Sequence, residues 1–156
     1  MKVIICENYE EMSRNAANMI ADEMKAKKNA TLGLATGSTP EGLYAELIDI
    51  YKKGELDFSD VTTVNLDEYY PISPENEQSY RYFMNTKLFD HVNVDKANTH
   101  VPNGSAEDAA AEAARYESFV RSLGGADIQI LGIGRNGHIA FNEPAEELYP
   151  ATHVTG

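Results

Sequence analysis

Short apolar segments alternate with longer segments of helical periodicity along this chain. The short segments are rich in β-branched residues, and the strand candidates are Val3–Ile5, Thr31–Ala35, Val61–Leu66 and Ile128–Ile133. Strands that alternate with helices are typical of parallel sheets covered by helices. The pattern therefore predicts an α/β fold with a Rossmann-like, doubly wound and mostly parallel sheet flanked by helices.

Four helices are predicted between these strands. Apolar residues at four-residue spacing, from Met12 to Met24, predict a helix from about Tyr9 to Lys27 behind an Asn8 cap. The other three are a helix that starts at Thr39 with Pro40 in its first helical position, a helix around Ser79–Phe89, and a helix that runs from the capping pair Ser105 and Asp108 to Gly124 and Gly125.

The last residues of the chain have the pattern of another strand. Ala151–Thr155 begins such a segment, and a complete doubly wound domain usually continues beyond a strand of this kind. We therefore expect a single domain over residues 1–156 that is incomplete at its C-terminus. Its unfinished sheet edge offers a surface for self-association.

Charge and cysteine content narrow the classes of partner and location. The net charge is −12, which repels nucleic acid and anionic lipid at long range, so neither is expected as a partner. No apolar run approaches the roughly 20 residues that cross a bilayer. Cys6 is the only cysteine, so no intrachain disulfide can form and a cytoplasmic location is favoured.

A strand runs into a small, hydroxyl-rich turn at Thr36, Gly37, Ser38 and Thr39, directly before the proline-started helix. Free backbone N–H groups at a helix start bind phosphate, and the glycine permits close approach to the ligand. The turn is therefore a candidate phosphate site. An ordinary strand-to-helix turn with Thr39 as the cap is the structural alternative.

A buried-looking strand ends in two adjacent acids, Asp67 and Glu68. Ligands of open α/β sheets collect outside the carboxyl ends of the strands, so this position favours a catalytic carboxylate. The alternative is a solvated acidic loop.

Gly132, Gly134 and Gly137 satisfy the spacing G-x-G-x-x-G after the last predicted strand. A nicotinamide or flavin site needs a helix after these glycines and an acid about 20 residues later, and neither is present. The glycines instead expose Asn136, His138 and Glu143 on one turn. An imidazole beside a carboxylate suits proton transfer near neutral pH, whereas a histidine bonded to loop backbone is the alternative. No spacing of His, Asp and Glu suggests a metal site.

Together, in order and spacing, these motifs resemble the glucosamine-6-phosphate deaminases. The matching stretches are Ala35–Pro40, Asn65–Tyr69 and Gly134–Pro144, and the similarity extends over essentially all 156 residues, including Ser79–Met84. The related 6-phosphogluconolactonases share the fold and the glycine-rich histidine turn. They lack the sequence found here at Phe141–Pro144.

The resemblance implies conversion of glucosamine 6-phosphate and water to fructose 6-phosphate and ammonia, with no metal or organic cofactor. A small-molecule sugar phosphate is then the partner. By the same resemblance, His138 opens the sugar ring while Glu143 and Asn136 orient it. Asp67 removes the C2 proton and passes it towards C1.

Two departures from the family pattern bear on activity. Many members carry Asp where Asn136 stands, so the hydrogen-bonding geometry is kept here without the charge. The family also continues for several more elements that contribute an Arg and a Lys to the substrate phosphate. We therefore expect a fragment with weakened substrate affinity, because each charge-assisted contact is worth about 1.5–3 kcal/mol.

Three other functions are compatible with the same motifs. One is lactone hydrolysis of the 6-phosphogluconolactonase kind, and another is a sugar-phosphate sensing module. The third is a non-catalytic sugar-phosphate-binding fragment. Retention of Asp67, His138 and Glu143 together argues against a sensor, which needs no proton shuttle.

Overall fold

A four-stranded parallel sheet forms the centre of the computed structural model, which describes all residues from Met1 to Gly156. The strands are β1 (Thr31–Leu34), β2 (Thr62–Asn65), β3 (Thr99–His100) and β4 (Ile128–Gln129), in the spatial order β3-β2-β1-β4. All three neighbouring pairs are parallel, with Thr31 opposite Thr62 and Leu32 opposite Ile128. The predicted α/β class with a parallel sheet is confirmed.

Four α-helices connect and cover the strands: α1 (Tyr9–Ala26), α2 (Glu41–Lys52), α3 (Tyr80–Lys87) and α4 (Ala109–Ser122). Two 3₁₀ turns, Phe89–His91 and Lys96–Asn98, lie between α3 and β3. Side chains of Asn8, Ser79 and Asp108 accept backbone N–H groups at the starts of α1, α3 and α4, respectively. These caps satisfy donors that the first turn of a helix leaves unpaired.

The hydrophobic core lies between β1 and the helices α1 and α2. β1 is buried along its whole length, and Ile20, Tyr44 and Leu47 pack into the same cluster from the two helices. Each fully buried side chain of this size contributes about 1.5–3 kcal/mol relative to exposure. Packing on this scale fixes β1 and β2 as the rigid centre from which the loops extend.

Two predicted helix starts differ from the structure. The helix predicted from Thr39 begins at Glu41, and no side chain caps it, because Pro40 occupies the cap position in a helical conformation. Ser105 does not pair with Asp108 as a cap. Its hydroxyl donates instead to the carbonyl of Ile72 at 2.9 Å, so Asp108 alone caps α4.

Several predicted strands are shorter than expected or absent. Val3–Ile5 is not a strand, and its side chains are 70%, 48% and 92% exposed. Only the first two residues of Ile128–Ile133 join the sheet, and residues 151–155 form no strand. A β-branched run becomes a strand only where a neighbour completes its hydrogen bonds, and beyond the Ile130 N–H, which donates to the Gly33 carbonyl at 2.8 Å, the segment Ile128–Ile133 makes no further ladder bonds.

None of the helices combines the length and the apolar character that crossing a bilayer would require.

Candidate active site

Three of the sequence motifs lie at one edge of the sheet. Residues 36–39 follow β1, residues 67–69 follow β2, and residues 134–144 come soon after β4. Because β2, β1 and β4 are consecutive parallel neighbours, their carboxyl ends point the same way. This is the edge at which ligands bind in open α/β sheets.

Two buried tyrosines hold the strand ends from which the first two loops leave. The Tyr44 hydroxyl accepts the Ala35 N–H at 3.1 Å and donates to the carbonyl of the same residue. The Tyr116 hydroxyl accepts the Asn65 N–H at 3.2 Å and faces the Asn65 and His100 carbonyls at 2.8 and 3.1 Å. Burial raises the pKa of both phenols, so they stay protonated.

The turn at residues 36–39 presents unpaired backbone donors. The N–H groups of Gly37, Ser38 and Thr39 have no acceptor in the protein, and Gly37 has a φ of +96°. The Tyr9 hydroxyl accepts the Gly42 N–H at 2.8 Å and lies 2.9 Å from the Thr39 carbonyl. Tyr9 therefore fixes the turn against the start of α2 and leaves the three earlier N–H groups free for an anion.

Asp67 lies partly buried two residues after the end of β2. Burial, and to a smaller extent the neighbouring Glu68 carboxylate, raise the pKa of its carboxyl to about 6. A carboxylate with this pKa is ionised at neutral pH and still retains a removed proton long enough to return it.

An aromatic cluster of Tyr69, Tyr80 and Phe141 joins the loops. The Tyr69 ring lies 5.0 Å, centroid to centroid, from the rings of both Tyr80 and Phe141, and the last two are stacked at 5.6 Å. The Tyr80 hydroxyl also donates to the Tyr69 hydroxyl at 3.4 Å. The cluster thus brings the histidine turn against the loop after β2 and the start of α3.

A chain of hydrogen bonds orients His138. Its Nδ1 lies 2.9 Å from Oδ1 of Asn136, whose amide nitrogen donates to Glu143 at 2.6 Å. Because Asn136 thereby presents its oxygen to the ring, Nδ1 carries the hydrogen and Nε2 is left as the base. The Glu143 carboxylate is 3.9 Å from Nδ1 at its nearer oxygen.

Gly134 allows the histidine turn to close. The Gly134 N–H donates to the His138 carbonyl at 2.9 Å, and a Cβ at position 134 would lie 2.4 Å from the imidazole Nδ1. Gly137 adopts a φ of +91° within the same turn. A side chain at position 134 would therefore displace the imidazole.

The structure brings Asn136, His138 and Glu143 into direct contact and places Asp67 and residues 36–39 on the neighbouring loops. No group of three or more His, Cys, Asp or Glu side chains is arranged to hold a metal ion. Sequence reasoning did not single out Tyr9, Tyr44 or Tyr116. The helical spacing of Tyr44 and Tyr116 marks them only as core residues, although a buried tyrosine usually signals a hydrogen-bond partner, and Tyr9 is 43% exposed at the start of α1.

Comparison with known proteins decides the family. A family model described as glucosamine-6-phosphate isomerases/6-phosphogluconolactonase matches residues 7–150. The chain belongs to this family.

Members of the glucosamine-6-phosphate isomerase/6-phosphogluconolactonase family named as deaminases are similar along the whole chain. Glucosamine-6-phosphate deaminase of Clostridium beijerinckii is 59% identical over 156 residues, which are 100% of this chain and 64% of the relative. That of Halothermothrix orenii is 56% identical over 154 residues, which are 99% and 64% of the two chains. The chain therefore spans about two thirds of the length of these relatives.

Solved structures of the family agree with the fold. A monomeric glucosamine-6-phosphate deaminase superimposes with a TM-score of 0.92 at 51% identity, covering 94% of this chain and 61% of that chain. The 6-phosphogluconolactonase of Thermotoga maritima gives a TM-score of 0.73 at 20% identity, covering 89% and 62%. The second likeness shows the shared fold alone.

Proposed function

We propose that this protein acts in the deamination of glucosamine 6-phosphate to fructose 6-phosphate and ammonia. The observation that carries the proposal is the pairing of two proton-transfer groups at one sheet edge. Asp67 has a pKa of about 6, and His138 has a free Nε2 set by Asn136 and Glu143. The names of the relatives at 56–59% identity support the same reaction.

The first step is ring opening. The Nε2 of His138 accepts the proton of the C1 hydroxyl and returns it to the ring oxygen, so the bond between C1 and the ring oxygen breaks and an open-chain aldehyde forms. Asn136 keeps the hydrogen on Nδ1, and Glu143 stabilises the imidazolium through its negative charge.

Asp67 then moves a proton between carbons. Its carboxylate removes the C2 proton to give an enolamine and delivers that proton to C1. The resulting C2 imine adds water and expels ammonia, which leaves the C2 ketone of fructose 6-phosphate. Partial burial suits Asp67 to this work because it raises the proton affinity of the carboxylate towards neutrality.

The phosphate of the substrate is proposed to bind at Thr36, Gly37, Ser38 and Thr39. The free N–H groups of the last three residues and the start of α2 supply donors and a favourable dipole for an anion. The proposal places the reaction in the cytoplasm, as a step of N-acetylglucosamine catabolism.

Ammonia release from glucosamine 6-phosphate tests the proposal. The assay compares the 156-residue chain with a chimera in which the C-terminal part of the Clostridium beijerinckii relative follows Gly156, since the chain spans 64% of that relative. We expect Asp67→Asn to abolish release wherever the unsubstituted protein is active. Asp22→Asn, on the exposed face of α1, is the matched control and should retain full activity.

The same preparations are assayed with 6-phosphogluconolactone. Folded protein that hydrolysed the lactone and released no ammonia at either length would overturn the deaminase proposal. Equal activity of Asp67→Asn and Asp22→Asn would overturn the role of Asp67.

A further inference from the structure

The Glu68 carboxylate accepts three backbone N–H groups, two of them from residues distant in the sequence. Its Oε1 accepts the Tyr80 N–H at 2.8 Å, and its Oε2 accepts the Arg81 N–H at 2.9 Å. Oε1 also accepts the N–H of Tyr69 at 2.9 Å. One side chain thereby joins the loop after β2 to the first turn of α3.

Two side chains, those of Ser79 and Glu68, accept N–H groups at the start of α3. Ser79 accepts the Tyr82 N–H at 2.9 Å, as an ordinary cap on the same chain segment. Glu68 takes the two preceding N–H groups from 12 and 13 residues away. Ser79 alone would cap the helix, so the Glu68 contact adds a connection between α3 and the loop.

Both ends of this connection are themselves fixed. Arg81 donates from its guanidinium to the Thr99 hydroxyl and carbonyl, both at 2.8 Å, which anchors α3 to β3. Asp67 lies two residues after the end of β2, and Tyr116 holds the end of that strand. Glu68 therefore spans two rigid elements, and Asp67 lies next to it in the chain.

We propose that Glu68 is a positioning residue that holds the Asp67 carboxylate in place by joining its loop to the N-terminus of α3. The effect of Glu68 on catalysis rests on the proposed function, whereas the connection between its loop and α3 does not. Tyr80, at the same helix start, carries the aromatic contact to Phe141 of the histidine turn, so the Glu68 connection also sets the spacing between Asp67 and that turn.

The charges around this connection determine how it responds to substitution. The titratable groups nearest the Glu68 connection are Arg81 and Tyr80 on α3, Tyr69 on the same loop as Glu68, and Tyr116 on α4. On β3, burial and, to a smaller extent, the positive charge of Arg81 lower the pKa of His100. Of the charged groups, only Glu68 acts directly on the Asp67 carboxyl. Removal of the Glu68 charge should therefore lower the pKa of Asp67.

Glu68→Gln is the informative variant, and Ser79→Ala is its matched control. Gln keeps one acceptor oxygen, but its amide nitrogen is a donor and cannot accept the second helix N–H. Ser79→Ala removes a cap from the same helix and leaves the loop of Asp67 untouched. Loss of the Glu68 charge by itself lowers the Asp67 pKa, so the pKa reports the charge of Glu68 and the loss of kcat reports the position of Asp67.

The first measurement is an NMR titration of the ¹³C-labelled Asp67 carboxyl in the three proteins, and the second is kcat at a pH at which Asp67 is ionised in all of them. We expect a lower Asp67 pKa in Glu68→Gln and an unchanged one in Ser79→Ala. In the active protein, kcat should fall about 10- to 100-fold in Glu68→Gln and less than about threefold in Ser79→Ala. An Asp67 pKa unaffected by Glu68→Gln, or equal losses of kcat, would overturn the proposal.

Amide hydrogen exchange in the unsubstituted protein gives a third measurement that needs no variant to fold. The Tyr80 and Arg81 amides should exchange as slowly as that of Tyr82, and fast exchange at both would overturn the connection. If the protein released no ammonia at either length, the deaminase proposal would fail alone, because the exchange rates would still test the connection that Glu68 makes to α3.

Discussion

At the scale of single residues, the raised pKa that suits Asp67 to proton transfer lowers the stability of the folded protein at neutral pH. Its pKa is about 6 in the folded protein against an ordinary value of 3.8, so ionisation is less favourable in the folded state than in the unfolded state. The resulting destabilisation is absent below pH 4, grows as the pH rises from 4 to 6, and is complete above pH 6.

Replacing Asp67 with Asn should therefore stabilise the fold at the pH at which it inactivates the protein. We expect the free energy of unfolding at pH 8 to rise by about 1–2 kcal/mol, with no gain at pH 3.5, because the variant cannot ionise. Urea unfolding at both pH values measures the effect, with Asp22→Asn as the control. A gain of equal size at both pH values would contradict it.

The sequence identified Asp67, His138 and the partners Asn136 and Glu143 of the histidine, but not the contacts that fix the loop of Asp67. An acid at the end of a buried strand and a histidine among closely spaced glycines are local patterns that a reader can find. The hydrogen bonds of Glu68 join residues 12 and 13 positions apart, across a loop whose path the sequence does not specify. The roles of the predicted site residues remain predictions.

At the scale of elements, the start of α1 supports the turn before α2 through a single phenol. The Tyr9 hydroxyl is the acceptor for the Gly42 N–H and lies within hydrogen-bond distance of the Ser38 and Thr39 carbonyls. The conformation of the proposed phosphate turn therefore depends on a residue outside it.

Tyr9→Phe should raise KM for glucosamine 6-phosphate about 3- to 10-fold and leave kcat nearly unchanged. The estimate follows from about 0.5–1.5 kcal/mol for a lost hydrogen bond, felt at the phosphate and not at the reacting carbons. Tyr51→Phe, whose hydroxyl has no hydrogen-bond partner at the far end of α2, is the control for steady-state kinetics. A fall in kcat at constant KM would contradict this placement of Tyr9.

Tyr116 links α4 to the ends of β2 and β3, so its hydroxyl contributes to stability. Tyr116→Phe should lower the free energy of unfolding by about 1–3 kcal/mol, because it leaves the buried Asn65 N–H without an acceptor. Tyr82→Phe, in α3, removes a hydroxyl with no hydrogen-bond partner and should change stability by less than about 0.5 kcal/mol. Chemical denaturation that found the two variants equal would refute the link.

The hydrophobic pattern of the sequence does not predict the shortest strands or the boundaries of the elements. β3 has only Thr99 and His100, too short for any pattern, and it exists because β2 offers it a neighbour. Val3–Ile5 is the opposite case, because its apolar run predicts a strand but no other strand lies beside it. Pairing is a property of the whole sheet, so a single segment cannot reveal it.

At the scale of the whole molecule, the strand order makes a site out of three separate loops. β2, β1 and β4 are neighbours in space although β3 precedes β4 in sequence, so the loops after them meet. Phe141 is the residue of the histidine turn that contacts the aromatic rings of the other side. Phe141 thus carries the aromatic contact between the histidine turn and the residues that follow β2.

Phe141→Ala should separate activity from stability. We expect kcat to fall about 10- to 100-fold because His138 loses its support against the Asp67 loop, while the free energy of unfolding falls by only about 1 kcal/mol. The ring of Tyr51 packs against Phe58 at the opposite edge of the sheet, so Tyr51→Ala should lower the free energy of unfolding and leave kcat nearly unchanged. Comparable kcat in the two variants would show that the turn is held by other contacts.

The tyrosine contacts at Ala35 and Asn65 also have a consequence for protein engineering. Because Tyr44 and Tyr116 complete the hydrogen bonding of β1 and β2 just before the loops begin, the sheet does not rely on the loop sequences for its integrity. Randomised libraries confined to Thr36, Ser38 and Thr39, which leave Gly37, Asp67 and Glu68 unchanged, should therefore yield mostly folded proteins. Such libraries would be a practical starting point for selecting altered sugar specificity on an unchanged scaffold.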